Sequence, residues 1–316
     1  MILTVTLNTA LDITYRVPAL LPATTHRVGE VIERPGGKGL NVARVLSALG
    51  HESVVTGFAG GRTGDILRDL LAGSGGGRGA AAPGPVDALV PIAGATRRTV
   101  AVVDETTGDT TQLNEPGPTV SAAEWTAFLT GYERLLTGAD AVALCGSLPP
   151  GIHVGAYAEL IRRARAAGVR VLLDTGGEPL RRGIAARPDL LKPNAVELAG
   201  LTGSREPLPA ALDARRRGAH CVIASLGADG VLAVTPDGIW QAAPPAAARG
   251  NPTGAGDSAV AGLLSGLVEG LPWPARLARA VALSTATVLA PAAGEFDARA
   301  YEELLPRVAV TEHRAA

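Results

Sequence analysis

Lysine is nearly missing from this chain. Of 29 basic residues, only Lys38 and Lys192 are lysines, in "GGKGLN" and "LKPN". A compact ammonium differs from a planar guanidinium in size and reach. The two positions are therefore candidates for sites where arginine does not fit. Chance survival is the alternative, and the three glycines around Lys38 weigh against it there. Cysteine is scarce as well: Cys145 and Cys221 lie in the apolar runs "AVALCGS" and "HCVIASLG". That excludes a disulfide framework and points to two free, buried thiols in a reducing compartment. Net charge is almost absent at −1, so no global field recruits nucleic acid or an acidic membrane. No uninterrupted apolar run is long enough to span a bilayer. The opening "MILTVTLNTALD" lacks a basic stretch and a cleavage motif, and reads as a strand rather than a signal peptide. These absences together describe a cytoplasmic protein with neither nucleic acid nor membrane as partner.

The 316 residues, 47% of them hydrophobic, can bury one sizeable core, and residues 1–316 read as a single domain. Short Val/Ile/Leu-rich runs, "ILTVTLN", "ESVVTGFAG", "ADAVALCGS", "GVRVLLDTGG", "PDLLKPN" and "AHCVIASLG", alternate with helical patterns such as "VGAYAELIRRARAAG". This alternation predicts an α/β fold, with a mostly parallel sheet and helices on both faces. Ligands of such sheets bind beyond the carboxyl ends of the strands. Two segments break the alternation, 13–35 and 96–118. In the second, alternating Val100 and Val102, the "ETTGD" turn and "TTQLN" read as an antiparallel hairpin over 99–114. Both segments are expected to form a small β-lid over the active edge. The Gly/Ala/Pro-rich stretch 73–85 reads as a mobile loop.

Two glycine-rich turns lead into helices. In "PGGKGLNVARVLSALG", Val42, Val45, Leu46 and Leu49 follow helical spacing. Free backbone N–H groups then face a ligand beside Gly37, Lys38 and Asn41, which suits an anionic or polyhydroxyl molecule. In "GNPTGAGDSAVAGLLSGLVEG", Val260, Leu263, Leu264, Leu267 and Val268 mark one apolar helix face. The amides of Ala255, Gly256 and Asp257, following Gly254, can converge on a phosphate being transferred. Asp257 stands beside them, able to take a proton from a hydroxyl. A first-turn acid often does no more than favour the helix dipole, but a second anion-type turn in the same chain argues for catalysis.

Together these blocks resemble the two signatures of the ribokinase-like (phosphofructokinase B) carbohydrate kinases. "LCGSLPPG", "LLDTGGEPL", "LKPNAVEL" and "SLGADGV" are similar to the family's intervening blocks, in its order. The resemblance covers nearly the whole chain apart from about 73–90 and the last dozen residues. It implies a ribokinase-like three-layer α/β/α sandwich with a small β-lid. Within the family, "MILTVTLNTALDITYRV", "TRRT" and "NEPGP" look like the branch that holds 1-phosphofructokinase and tagatose-6-phosphate kinase.

By that likeness Asp12 would bind sugar hydroxyls, and Arg97, with Arg98 beside it, would hold a phosphate already on the sugar. Lys192, Asn194 and Glu197 would serve ATP and Mg²⁺, Glu197 acting on the metal through water. Ser225, Gly227 and Gly230 would border the nucleotide. Ser147 would touch the sugar, or be a simple turn residue. The implied reaction is ATP-dependent phosphorylation of tagatose 6-phosphate or fructose 1-phosphate to a 1,6-bisphosphate, with Asp257 as base and a slight lean to the tagatose side. A homodimer through the lid is implied as well. The alternatives are a kinase of an unphosphorylated sugar or nucleoside, and a non-catalytic sugar-phosphate sensor. Arg97 and Arg98 argue against the first, and the intact Asp257 against the second. Two departures stand out. Thr9 replaces the family's proline, which should loosen the turn before Asp12. Val281 takes the place of a polar neighbour of adenine.

Overall fold

The computed structural model describes residues 1–73, 83–290 and 294–313. Most of the expected mobile loop, residues 74–82, lies outside the described residues. The large sheet has eleven strands. From one edge it runs Ala309–His313, Ile239–Ala243, Val231–Val234, Cys221–Ser225, Leu190–Leu191 and Arg170–Asp174. It continues through Ala141–Cys145, Ile2–Thr6, Ser53–Gly60 and Val86–Asp87. Val90–Ile92 also pairs with Ser53–Gly60. From Cys221–Ser225 to the Val86–Asp87 edge every pairing is parallel. The other three strands are antiparallel and do not show in the alternation of the sequence. They are short, and the hairpin turns that lead from Cys221–Ser225 into Val231–Val234 and Ile239–Ala243 need no crossover helix to announce them.

The sheet is buried on both faces, as the unbroken apolar runs demand. Leu3, Val5, Val142, Leu144, Val171 and Leu173 pack on one side against Phe128, Tyr157, Ile161 and Leu180, from three helices. Ile2, Ala141, Ala143, Cys145 and Leu172 face the other side, toward helices Lys38–Ala48, Ala255–Val268 and Trp273–Val288. The architecture is thus a three-layer α/β/α sandwich, and both cysteines are free and buried. Among the described residues no helix is long and apolar enough to cross a membrane.

Helix Ala255–Val268 departs from the one-faced pattern. Asp257 through Leu267 are all buried, including Ser258 and Ser265, while Val268 is 36% exposed. Small residues allow this burial on every side. A Cβ on Gly262 would stand 2.8 Å from the Cα of Ala280, so Trp273–Val288 lies directly against it. Val281, on that covering helix, is a core residue.

A second sheet of four strands runs Glu30–Gly36, Ala10–Val17, Arg97–Asp104 and Thr110–Asn114. The last two strands are antiparallel, Thr99 facing Asn114, and Ala10–Val17 pairs parallel with Arg97–Asp104. Thr9 does not leave the turn before Asp12 loose. Its buried hydroxyl donates to the carbonyl of Phe58 and ties the turn to the neighbouring strand.

Gly262→Ala should lower stability by about 1–3 kcal/mol, because the new methyl meets backbone that cannot yield. Gly131→Ala, mid-helix with no heavy atom within 4 Å of the new methyl, should raise it by about 0.5–1 kcal/mol. Urea midpoints at an unchanged denaturant slope measure both, and equal shifts for the pair would contradict the packing described.

Candidate active site

The carboxyl ends of the parallel strands and the starts of two helices meet in one place. Helix Lys38–Ala48 starts after Gly37 (φ 119°), and Ala255–Val268 after Gly254 (φ 84°). Both turns use left-handed backbone that favours glycine. Neither helix has a side-chain cap; in the second the Ala255 N–H donates to the carbonyl of Pro252 at 3.2 Å, while no side chain covers the N–H groups of Gly256 and Asp257.

Asp257 lies in the first turn of the second helix with 6% of its surface exposed. Asn41 Nδ2 donates to its Oδ2 at 2.9 Å, joining the two glycine turns. Burial pushes the Asp257 carboxyl up to about 6; Lys38, Asn41 and Lys192 oppose that rise, while Asp174 adds to it. Near pH 7 such a group is ionised yet basic enough to take a proton.

Asp174 is not among the expected site residues, yet it sits at the centre. It ends strand Arg170–Asp174 and is 1% exposed. Lys38 Nζ lies 3.1 Å and Lys192 Nζ 3.6 Å from its Oδ1. Both lysines of the chain thus converge on one oxygen, while Asp174 Oδ2 is buried without a partner. Burial disfavours the Lys38 ammonium, but Asp174, Asp257 and Glu197 outweigh it and raise its pKa above the ordinary lysine value. The signal available in "VLLDTGG" is an acid ending an all-apolar strand on the ligand-binding side.

Asn194 and Glu197 have a structural task of their own. Asn194 caps helix Ala195–Thr202: its Oδ1 accepts from the Glu197 N–H at 2.8 Å, and Glu197 Oε2 accepts from the Asn194 N–H at 2.9 Å. This reciprocal box holds Glu197 beside Gly176, whose added Cβ would stand 3.1 Å from Glu197 Oε1. Ser225 pairs with Asn194 across the sheet end, and Gly227 and Gly230 lie in the turn that follows. No three acids or histidines cluster as metal ligands among the described residues. Oxygen-only donors, with Asp174 Oδ2 unpartnered and Glu197 half-buried, do fit a hard cation that keeps several waters.

The small sheet closes the opposite side. Asp12, Thr14, Arg34, Thr99 and Gln112 line a cavity of about 90 Å³ that also touches Asn41, Asn251 and Thr253. Burial raises the Asp12 pKa, although Thr99, which donates to its carboxylate, Arg97 and Arg44 oppose this. Arg97 donates to the carbonyls of Asn8 and Glu115, and forms no ion pair within 4 Å among the described residues. Arg98 instead turns outward, its Nη2 2.9 Å from Glu115 Oε1. Ser147 is exposed and accepts from Asn8 Nδ2 at 3.1 Å. Arg34 joins the expected set of basic groups here: it pairs with Glu295, and its Nε is buried without a partner.

Residues 5–299 match the model of the pfkB family carbohydrate kinases. The chain is 40% identical over 298 residues to the 1-phosphofructokinase of Rhodobacter capsulatus, covering 92% of each protein. Among solved structures it is similar to phosphofructokinase-2 from Escherichia coli in complex with fructose-6-phosphate. There the TM-score is 0.85 at 28% identity, covering 97% of this chain and 98% of that one. The tetrameric inhibited form of the same enzyme matches with the same TM-score, identity and coverage.

Asp174→Asn removes the charge that holds both ammoniums. Lys192, 5% exposed, would be left buried and unpaired, at a cost of about 3–5 kcal/mol. Replacing the pair together, Asp174→Leu with Lys192→Met, should return most of that loss while leaving the enzyme inactive. An unchanged urea midpoint in Asp174→Asn would show the bridge to be energetically idle.

Proposed function

The chain belongs to the pfkB family of carbohydrate kinases, and we propose that it transfers the terminal phosphoryl of ATP to a hydroxyl of a ketohexose phosphate, with fructose 1-phosphate as acceptor. The observation that carries this reading is Asp257: a buried carboxyl with its pKa raised to about 6, in the first turn of an uncapped helix, hydrogen-bonded to Asn41. Asp257 accepts the proton of the attacking hydroxyl. The amides of Gly256 and Asp257, joined by that of Ala255 once it leaves the Pro252 carbonyl, receive the charge that gathers on the transferring phosphoryl, with Gly254 setting the turn. Lys38, linked to Asp174, keeps a positive group beside both.

ATP lies along the neighbouring strand ends, near Lys192, Asn194, Glu197, Ser225, Gly227 and Gly230. Asp174 and, through water, Glu197 would hold Mg²⁺, which would supply charge neutralisation at the phosphate oxygens. Asp12, Gly37, Asn41 and Ser147 orient the sugar, and Arg97 binds the phosphate it already carries. Arg97 supports a phosphorylated acceptor because its contacts are to carbonyls, which leave its charge unspent. Likeness to a 1-phosphofructokinase favours fructose 1-phosphate over the tagatose 6-phosphate toward which the motifs lean. Closure of the small sheet as a lid would exclude water, which would otherwise consume ATP. An enzyme that draws on ATP and sugar phosphates works where both are made, which argues for the cytoplasm.

The strand register of that sheet sets Tyr15, Val31 and Val102 on one face with Ile13, Val100 and Leu113. Val31 is 56% and Leu113 60% exposed. A small sheet gains stability by covering such a face, and a homodimer through the lid would cover it. Sedimentation at micromolar concentration should give a dimer, and a monomer alone would refute this assembly.

Four further outcomes test the reading. Asp257→Asn should lower kcat by roughly 10²–10⁴-fold with nucleotide binding kept. The same change should stabilise the fold near pH 7 by about 1–3 kcal/mol. The sign follows from the raised pKa: between the ordinary value of 3.8 and about 6 the folded chain holds the extra proton, so rising pH costs stability across that window. The activity, by contrast, should fall as pH drops below about 6. A pH profile flat down to 5 would remove Asp257 as base. Finally, Arg97→Ala should lower kcat/KM for fructose 1-phosphate by roughly 10–10²-fold and barely alter any activity on free fructose. ADP release measured across sugar phosphates and free sugars reads both. An unchanged ratio would leave Arg97 without its proposed role.

A further inference from the structure

A cleft of about 590 Å³ opens at the other end of the sheet, where the parallel strands begin. Arg170 and Cys221, the first residues of two strands, lie in its wall with His220, Trp240, Trp273 and Arg276. Its volume falls in the range of small-molecule sites. None of the groups assigned to phosphoryl transfer lines it.

The charges in this cleft are unbalanced in a specific way. Its two acids are already engaged. Asp189 Oδ2 accepts from the Val171 N–H at 2.8 Å, and Asp237 Oδ2 accepts from Trp273 Nε1 at 3.2 Å. Neither arginine has an acidic partner within 4 Å among the described residues, whereas Arg16, Arg34, Arg68, Arg98 and Arg163 each have one. Arg276 is held firmly. Its Nε donates to the carbonyl of Leu271, its stem crosses Gly266, and its guanidinium carbon stands 5.0 Å from the ring centre of Trp273. Trp240 stacks near Trp273 with centroids 6.1 Å apart. Burial, and then the charge of Arg170, lower the Arg276 pKa, and Asp237 does not offset them. One guanidinium is thus fixed on an aromatic wall while a second, unpaired and exposed, repels it across the cleft.

An anion between the two would relieve that repulsion, and guanidinium forks match phosphate oxygens two at a time. We propose that this cleft is a second binding site, separate from the kinase centre, for a small organic phosphate held between Arg170 and Arg276. The volume exceeds what inorganic phosphate needs, so the apolar wall of Trp240, Leu267 and Leu271 takes the organic part. The site touches Leu267 near the end of helix Ala255–Val268, the helix whose first turn carries Asp257.

The protein supplies its own reporter. Trp240 and Trp273 line the cleft and Trp125 lies elsewhere, so Trp125→Phe leaves emission from the cleft alone. Glycerol 3-phosphate and inorganic phosphate are titrated into this variant at fixed ionic strength. The expected result is a saturable change in emission at millimolar or lower concentration, tighter for glycerol 3-phosphate. Adding Arg170→Glu, at an exposed position with no side-chain partner to lose, should weaken that binding at least about tenfold. It should leave kcat/KM without added phosphate unaltered. No saturable change with either probe would overturn the proposal. So would an Arg170→Glu titration that matches its parent, since phosphate would then bind only at the kinase centre. Tighter binding of inorganic phosphate than of glycerol 3-phosphate would overturn the organic assignment.

Discussion

One carboxylate, Asp174, fastens the site together. Its Oδ1 meets Lys38, which starts a helix after the first glycine turn, and Lys192, which follows the next strand of the sheet. Three segments distant in sequence are joined at a single buried oxygen. Lys192 also stands near the second glycine turn, since a Cβ on Gly256 would lie 3.6 Å from its Nζ. A buried charge is tolerable only when paired, so the three groups depend on one another. Because Lys38 also raises the local positive charge beside Asp257, the same bridge decides how basic the proposed catalytic acid can be.

That dependence gives a physical reason for lysine at these two positions. Two guanidiniums would have to share one oxygen in a space that fits two compact ammoniums. Arginine serves elsewhere, where the planar fork reaches a carboxylate from the surface, as in Arg163 with Glu159. The chain alone could mark Lys38 and Lys192 as unusual but could not say that they shared a partner. Pairing across 136 residues is a property of the sheet order, and sheet order is not written in any local pattern.

The legible parts of the fold are those with strong periodicity. Parallel strands buried on both faces read as apolar runs, and the glycine turns mark helix starts where ligand-facing N–H groups collect. The strands Val231–Val234, Ile239–Ala243 and Ala309–His313 were not legible, because short strands outside the strand–helix alternation carry little pattern. Likewise, "NAVE" reads both as the proposed ligand set and as a helix cap. The structure makes Asn194 and Glu197 a reciprocal cap, and the two roles are compatible. Capping uses Glu197 Oε2, while Oε1 stays on the side of Gly176.

Helix Ala255–Val268 shows how the fold accommodates a buried acid. An acid with a pKa of about 6 is held in a form that burial disfavours at neutral pH. The helix that carries it compensates by being buried along almost its whole length, with Ala, Gly and Ser admitting the sheet on one side and Trp273–Val288 on the other. A bulkier helix would stand off from both layers and bring water to Asp257, and its pKa would fall toward that of an exposed carboxylate. The small residues that make the helix unremarkable as an amphipathic pattern are therefore what keeps Asp257 buried. Basicity at one end of this helix is a consequence of close packing along the rest of it.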